Sequence, residues 1–147
     1  MITNIFPGAG NGQARAAVFM SGTGTNAEAL FRYHAGHPEC RFVPALIVTD
    51  APEHSRAREL AAAWNIPLVE HDIRAFYAAR GETAISLVSE RRRAIRSEWT
   101  EALRELVLPW KIDFGVLAGF VPLCNITADL PCLNVHPGDL TVETDGR

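Results

Sequence analysis

Short apolar runs alternate with longer amphipathic stretches along this chain, and the alternation predicts a parallel β-sheet whose strands are joined by helices. The run at residues 42–49 is almost continuously apolar, which is typical of a strand buried on both faces. Four further apolar runs have the length of strands. The predicted strands therefore lie at residues 15–20, 42–49, 67–71, 111–118 and 132–136.

Between these strands, apolar residues recur at helical spacing and predict three helices, at residues 26–36, 53–64 and 83–107. The connection at residues 72–82 is left without a predicted element. Residues 1–14 are polar and contain glycine, so we expect a flexible N-terminal extension followed by one domain at residues 15–147. The longest predicted helix has one gap in its apolar pattern, which is formed by Ala84, Val88, Ile95, Trp99, Leu103 and Leu106.

A glycine turn, Ser-Gly-Thr-Gly-Thr-Asn at residues 21–26, joins the first predicted strand to the first predicted helix. Gly22 and Gly24 would permit positive φ angles and a close approach of a ligand to the backbone. Thr25 and Glu28 have the spacing of a capping box, which predicts the start of the helix. Unpaired N–H groups and the helix dipole favour an anion at such a helix start, and a phosphate is the usual one. The alternative is a tight connection that binds no ligand.

An asparagine and a histidine end the last predicted strand. Asn134 and His136 are two residues apart, so both side chains are expected on one face of the sheet, and Pro137 ends the strand. Ligands of open α/β sheets bind at the carboxyl ends of the strands. The Asn-x-His pair, the glycine turn and the loop after residues 111–118 are therefore expected to converge, although a structural His-Pro is the alternative. His71 ends the third strand on the same side and is a weaker candidate.

The composition and the charge exclude several classes of protein. With 48% hydrophobic and 21% charged residues, the chain has the composition of a globular protein rather than of a disordered one. A net charge of −3 offers no bulk attraction to nucleic acid or to an anionic membrane. The three cysteines lack Cys-x-x-Cys and zinc-type spacing, so we expect free thiols in a reducing cytoplasm and no metal. No apolar stretch has transmembrane length.

Three motifs give the chain a resemblance to a known family. They are the glycine turn at residues 21–26, Val-Leu-Ala-Gly-Phe at residues 116–120 and Asn-Val-His-Pro at residues 134–137. In this order they resemble the N-terminal part of the glycinamide ribonucleotide formyltransferases, the folate-dependent enzymes of purine biosynthesis. The Asn-x-His-Pro motif is the most specific to folate-dependent formyl transfer, and the glycine turn separates this branch from related transferases.

The resemblance implies a Rossmann-like three-layer α/β/α fold with a mainly parallel sheet. It implies a cytoplasmic enzyme that transfers a formyl group from 10-formyltetrahydrofolate to the amine of a phosphorylated acceptor. Glycinamide ribonucleotide is the first candidate for this acceptor, and no metal is expected. Nucleic acid and membrane partners are not expected, and a homodimer is left open. The site residues that the resemblance implies are Gly24, Thr25 and Asn26 for the substrate phosphate, Phe120, Val121 and Leu123 for the folate, and Asn134 and His136 for catalysis.

The family's catalytic aspartate lies beyond the position at which this sequence ends, Arg147. The resemblance therefore implies a domain truncated at its C-terminus and leaves open whether this chain is active. Two alternatives follow from this and from the Gly-Asp-Leu run at residues 138–140, where the family has a different sequence. One is a formyltransferase for another amine, such as that of a nucleotide sugar. The other is a non-catalytic fragment that binds a phosphorylated ligand.

Overall fold

The computed structural model describes residues 13–122, 124 and 126–135, which form one five-stranded parallel sheet with helices on both faces. Among these residues, Leu108–Trp110 and Ile126–Ala128 form short 3₁₀ helices. The strands are β1 (Ala14–Met20), β2 (Phe42–Thr49), β3 (Leu68–Glu70), β4 (Phe114–Ala118) and β5 (Cys132–Val135). The α-helices are α1 (Thr25–Gly36), α2 (Ala57–Trp64), α3 (Ile73–Ala78) and α4 (Glu90–Val107).

The strand order is β3-β2-β1-β4-β5, and every pair of neighbouring strands is parallel. The chain adds β2 and β3 on one side of β1, then crosses to the other side and adds β4 and β5. The order therefore reverses between β1 and β4, and a crevice opens at the carboxyl ends of strands at such a switch point. The end of β1 is the start of the glycine turn, so the topology places the turn at this point.

Alternate residues of each strand face two separate cores, as the period of a strand requires. On one face, Ala16, Val18 and Met20 of β1 pack with Phe31 of α1 and Leu60 of α2. The other face carries Ala17 and Phe19 of β1, together with residues of α3 and α4. The predicted three-layer α/β/α arrangement is confirmed. The residues of α3 and α4 buried in this second core are Ile73, Tyr77, Ile95, Trp99, Leu103 and Val107.

The longest helix starts later than the sequence pattern predicts. Ser89 caps α4, because its hydroxyl accepts a hydrogen bond of 3.1 Å from the backbone N–H of Arg92. The predicted start at residue 83 is therefore wrong, and Val88 lies before the helix with 77% of its surface exposed. At the other end Val107 is buried and Leu106 is exposed, so the predicted Leu106 core position is wrong as well.

A helix that the sequence pattern missed fills the connection at residues 72–82. Asp72 caps this helix, α3, by accepting a hydrogen bond of 3.0 Å from the backbone N–H of Ala75. Helix α2 starts at Ala57 rather than at residue 53, because the preceding residues form turns in which His54 and Ser55 both donate to the carbonyl of Ala51. No helix in the described part of the chain has the length and apolar character needed to cross a membrane.

Only one of the two glycines in the turn between β1 and α1 has a backbone conformation that requires a glycine. Gly24 has a φ of 73°, in the left-handed region, and a Cβ added there would lie 2.6 Å from side-chain atoms of both Leu60 and Met20. Gly22 has no positive φ, and a Cβ there would meet no atom within 4 Å. The expectation of positive φ angles is therefore confirmed for Gly24 and wrong for Gly22.

The cap at Ser89 gives a first prediction. Ser89→Ala removes the acceptor for the Arg92 N–H and is expected to lower the free energy of unfolding by about 1 kcal/mol. Urea denaturation followed by circular dichroism measures the change. Ser89→Asp is the matched control, because it keeps an acceptor and adds a negative charge that the helix dipole favours. Equal losses for the two variants would contradict the role of the cap.

The glycine turn gives a second prediction. Gly24→Ala is expected to lower the free energy of unfolding by about 1–2 kcal/mol, because a left-handed backbone is unfavourable for alanine. Gly22→Ala is the matched control and is expected to change stability by no more than about 0.5 kcal/mol. Thermal and urea denaturation of both variants measure this difference, and a Gly24→Ala protein as stable as the control would show that the turn is not constrained.

Candidate functional site

The start of α1 is capped by backbone geometry rather than by a side chain. Gly24 is the N-cap residue, no side chain donates or accepts in a cap, and the N–H of Glu28 donates to the Gly24 carbonyl over 2.8 Å. The predicted capping box is therefore wrong, because Thr25 is the first residue of the helix. The Glu28 carboxylate instead forms ion pairs with Arg56, at 3.6 Å, and with Arg32, at 3.4 Å.

The turn leaves a run of backbone donors without partners. Within the described part of the chain, no acceptor is hydrogen-bonded to the N–H groups of residues 22–27. The first N–H groups of a helix have no intrahelical acceptor, and the helix dipole adds a partial positive charge at the same point. The hydroxyls of Thr23 and Thr25 lie 3.3 Å apart on exposed residues of the same turn. This arrangement suits an anion such as a phosphate.

Arg56 is a basic residue that is hydrogen-bonded to the turn. Its backbone N–H donates to the carbonyl of Gly22 over 3.0 Å, and its guanidinium donates to the carbonyl of Thr23 over 3.2 Å. The same guanidinium is paired with the carboxylates of Glu28 and Glu59. Arg56 therefore holds the turn in place, while its positive charge is partly neutralised by two carboxylates.

Ser21 joins three elements at the carboxyl edge of the sheet. Its hydroxyl donates to Oδ1 of Asp50, directly after β2, over 2.5 Å. The same hydroxyl oxygen accepts a hydrogen bond of 2.9 Å from the N–H of Val121, in the loop after β4. The backbone N–H of Ser21 also donates to the carbonyl of Gly119 over 3.3 Å. The ends of β1, β2 and β4 are therefore tied together at this one residue.

Asp50 is a site residue that the sequence analysis missed. Only 6% of its surface is exposed, and burial raises the pKa of its carboxyl group, while the hydrogen bond from Ser21 opposes that rise. The signal in the sequence was a carboxylate directly after a continuous apolar strand, at the edge where ligands bind. The carboxylate therefore lies beside the turn at the switch point.

The loop after β4 contributes two of the residues predicted for folate. Phe120 is half-buried, with its ring 5.4 Å from that of Phe19 and 6.4 Å from that of Trp99. Val121 has 75% of its surface exposed and is bonded through its N–H to Ser21. The third predicted folate residue, Leu123, lies outside the described residues. The structure thus brings the loop of Phe120 and Val121 next to the turn that contains Gly24, Thr25 and Asn26.

The predicted catalytic pair is only partly described. Asn134 is exposed on the edge strand β5, in register with Leu117 of β4, near the carboxyl end of the strand. His136 lies outside the described residues. The parallel register places Asn134 at the same edge of the sheet as the glycine turn.

His71, the weaker candidate, makes contacts that are typical of a structural residue. Nε2 of its ring lies 2.9 Å from the carbonyl oxygen of Trp99, and the indole N–H of Trp99 donates to the carbonyl of His71 over 3.2 Å. The two rings stack with centroids 4.9 Å apart. Burial lowers the pKa of His71, so the neutral ring that donates from Nε2 is favoured. His71 therefore joins the end of β3 to α4.

Among the described residues, no group of three or more His, Cys, Asp or Glu side chains is arranged to hold a metal ion. A comparison with profiles of known protein families gives no match, and a comparison with curated proteins gives none either.

Solved structures do resemble this chain. Glycinamide ribonucleotide transformylase 1 from Geobacillus kaustophilus is 26% identical with a TM-score of 0.62, and the match covers 91% of this chain and 63% of that one. Phosphoribosylglycinamide formyltransferase from Bacillus halodurans is 27% identical with a TM-score of 0.59, covering 86% and 57%. The same enzyme from Brucella melitensis is 24% identical with a TM-score of 0.66, covering 87% and 59%.

This chain thus spans less than two thirds of the length of each of these proteins. The resemblance recognised in the sequence is confirmed at the level of structure, and the partial coverage of those proteins is consistent with an N-terminal portion. The chain has the fold of the glycinamide ribonucleotide formyltransferases over the part of that fold which it spans.

Proposed function

We propose that this chain contributes the phosphate-binding turn and the first catalytic residues of a folate-dependent formyltransferase. The reaction is formyl transfer from 10-formyltetrahydrofolate to the amine of a phosphorylated acceptor, with glycinamide ribonucleotide of purine biosynthesis as the first acceptor to test. The observation that supports this most is the run of N–H groups at residues 22–27 that have no acceptor among the described residues, at the switch point of a fold shared with these enzymes.

The phosphate would bind to backbone donors. Gly24 lets the backbone turn sharply without a side chain, and the N–H groups that follow it at Thr25 and Asn26 belong to the first turn of α1. Hydroxyls at Thr23 and Thr25 are close enough to add donors to the same anion. The guanidinium of Arg56 adds a nearby positive charge. These features favour an anion over a neutral ligand.

The catalytic role rests on the chemistry of formyl transfer. Attack of an amine on the formyl carbon forms a tetrahedral oxyanion, which a donor in a fixed position stabilises. The side-chain amide of Asn134 is such a donor, and a protonated His136 would be a second. The amine must lose a proton and the folate nitrogen must gain one, and a histidine exchanges protons near neutral pH. Phe120, Val121 and Leu123 would border the folate.

Phosphate binding can be tested directly at the turn. Thr25→Val removes one hydroxyl donor while nearly keeping the shape of the side chain, and it is expected to weaken binding of glycinamide ribonucleotide about tenfold. Isothermal titration calorimetry measures the dissociation constant. Thr83→Val is the matched control, since Thr83 is an exposed threonine in the connection before α4. Equal affinities for Thr25→Val and wild type would count against a phosphate at this turn.

Formyl transfer is tested by the release of tetrahydrofolate from 10-formyltetrahydrofolate in the presence of glycinamide ribonucleotide. Asn134→Ala is expected to reduce kcat by about 10²- to 10³-fold, as loss of an oxyanion donor does. Leu133→Ala is the matched control on the same strand, because Leu133 is 62% exposed and has no donor to lose.

The outcomes of this assay separate the remaining possibilities. Tight binding of glycinamide ribonucleotide without turnover, in a protein shown to be folded, would favour a phosphate-binding fragment without catalytic activity. Turnover with another phosphorylated amine, and none with glycinamide ribonucleotide, would favour a formyltransferase for that amine. Turnover that Asn134→Ala leaves unchanged would remove Asn134 from the mechanism.

A further inference from the structure

Helix α4 has one buried side and one exposed side. Its buried side packs on the sheet, and the opposite side carries residues spaced alternately three and four positions apart. Residues at this spacing lie next to one another along a helix, so they form a continuous stripe. Every residue of the stripe is exposed, and we call it the outer face of α4: Arg91, Ala94, Glu98, Glu101 and Glu105.

Opposite charges occupy the two halves of the outer face. Arg91 lies in the N-terminal half, next to the exposed Arg93, whereas Glu98, Glu101 and Glu105 lie in the C-terminal half. Glutamates four positions apart repel each other in an isolated helix, so this pattern is unfavourable unless a positive charge approaches from outside the helix.

Partners within the chain neutralise these charges only in part. Arg91 and Arg92 share the carboxylate of Glu82, at 3.6 and 3.2 Å. At the other end of the helix, no hydrogen bond or ion pair of the Glu105 carboxylate occurs among the described residues. One end of the outer face therefore keeps a positive charge, and the other end keeps a negative charge.

Exposed apolar side chains flank this charged face at both ends. Val88 lies directly before the N-cap of α4, and Leu108, with 75% of its surface exposed, lies directly after the last residue of the helix. A single exposed apolar residue is normal on a protein surface. Here the two residues lie at equal distances in sequence from Glu98, one on either side of it.

The acidic half of the outer face borders an open groove of about 500 Å³. Phe76 and Ala102 line it with apolar surface. The guanidinium of Arg80 lies over the ring of Phe76 and pairs with the carboxylate of Glu98 over 2.8 Å. A concave surface with apolar and acidic lining fits an amphipathic helix that carries basic side chains.

We propose that α4 docks against α4 of a second copy of this chain, with the two helices antiparallel and a two-fold axis beside Glu98. Arg91 and Glu105 lie at equal distances in sequence from Glu98, so Arg91 lies opposite the partner's Glu105. By the same symmetry Val88 lies opposite the partner's Leu108. The axis repeats each contact, so every pair occurs twice.

A second copy is the partner that this face fits, because a two-fold contact requires a surface complementary to itself. A parallel pair of helices would place Arg91 against Arg91 and Glu105 against Glu105, which is unfavourable. In the antiparallel pair only the two Glu98 residues approach a like charge, and each is already paired with Arg80. The inference is independent of the proposed function, since α1, which follows the glycine turn, packs on the other face of the sheet.

Sedimentation equilibrium of the whole chain tests the proposal. Wild-type protein is expected to dimerise with a dissociation constant in the micromolar range, as small interfaces do. Raising the ionic strength from about 0.1 M to about 1 M is expected to weaken the dimer about tenfold or more, because the screening length falls. Wild-type protein that stays monomeric up to about 1 mM would overturn the inference.

Charge reversal tests the pairing itself. Arg91→Glu and Glu105→Arg each place like charges opposite one another at both copies of the contact, so each variant alone is expected to dimerise about tenfold more weakly or worse. A one-to-one mixture of the two variants has an attractive pair at both contacts and is expected to form a heterodimer with nearly wild-type affinity. A mixture as weak as the separate variants would show that these residues do not meet.

Matched controls and an apolar variant complete the design. Glu39→Arg and Arg41→Glu reverse exposed charges in the connection before β2 and are expected to leave the dissociation constant unchanged. Leu108→Ser is expected to weaken the dimer about tenfold, whereas Leu133→Ser, at an exposed leucine of β5, is not. If the charge variants do not fold, as judged by circular dichroism, Leu108→Ser still decides, because an unchanged dimer would place the interface elsewhere.

Discussion

The hydroxyl of Ser21 is the contact on which the candidate site depends. It donates to Asp50 and accepts from the N–H of Val121, so one side chain uses both functions of a hydroxyl at the meeting point of three strand ends. An apolar side chain at this position would leave both partners without their contact. The turn at residues 22–27 follows directly, and its placement relative to the loop after β4 is set by this serine.

The fold was predicted where long apolar patterns decide the structure. Strand β2 was predicted with its observed bounds, because a short continuous apolar run flanked by polar residues is compatible with few structures other than a buried strand. Helix α3 was missed because six residues are too few to show a helical period. The start of α4 was misplaced because Val88 continues the apolar spacing of the helix, whereas the N-cap at Ser89 begins the helix only after Val88.

The site was predicted less completely, because part of it depends on contacts that no local pattern shows. The glycine spacing identified the turn, yet the start of α1 was misjudged, since Gly24 caps the helix with its backbone and Thr25 does not cap it. Asp50 could be assigned to the site only from its hydrogen bond with Ser21, which lies 29 positions away in the sequence. The roles of Asn134 and His136 rest on a motif, and that motif continues past the last described strand.

The order in which the chain can assemble follows from the sheet topology. Strand β1 pairs with β2, which is close to it in sequence, and also with β4, whose Phe114 lies opposite Ala16. The hydrogen bond from Val121 to Ser21 joins residues 100 positions apart. Closing so long a loop is unfavourable in entropy and makes contacts of this kind slow to form. The half of the sheet with β1, β2 and β3 can form early in folding, whereas the crevice at the carboxyl ends of β1 and β4 is completed only once β4 has docked.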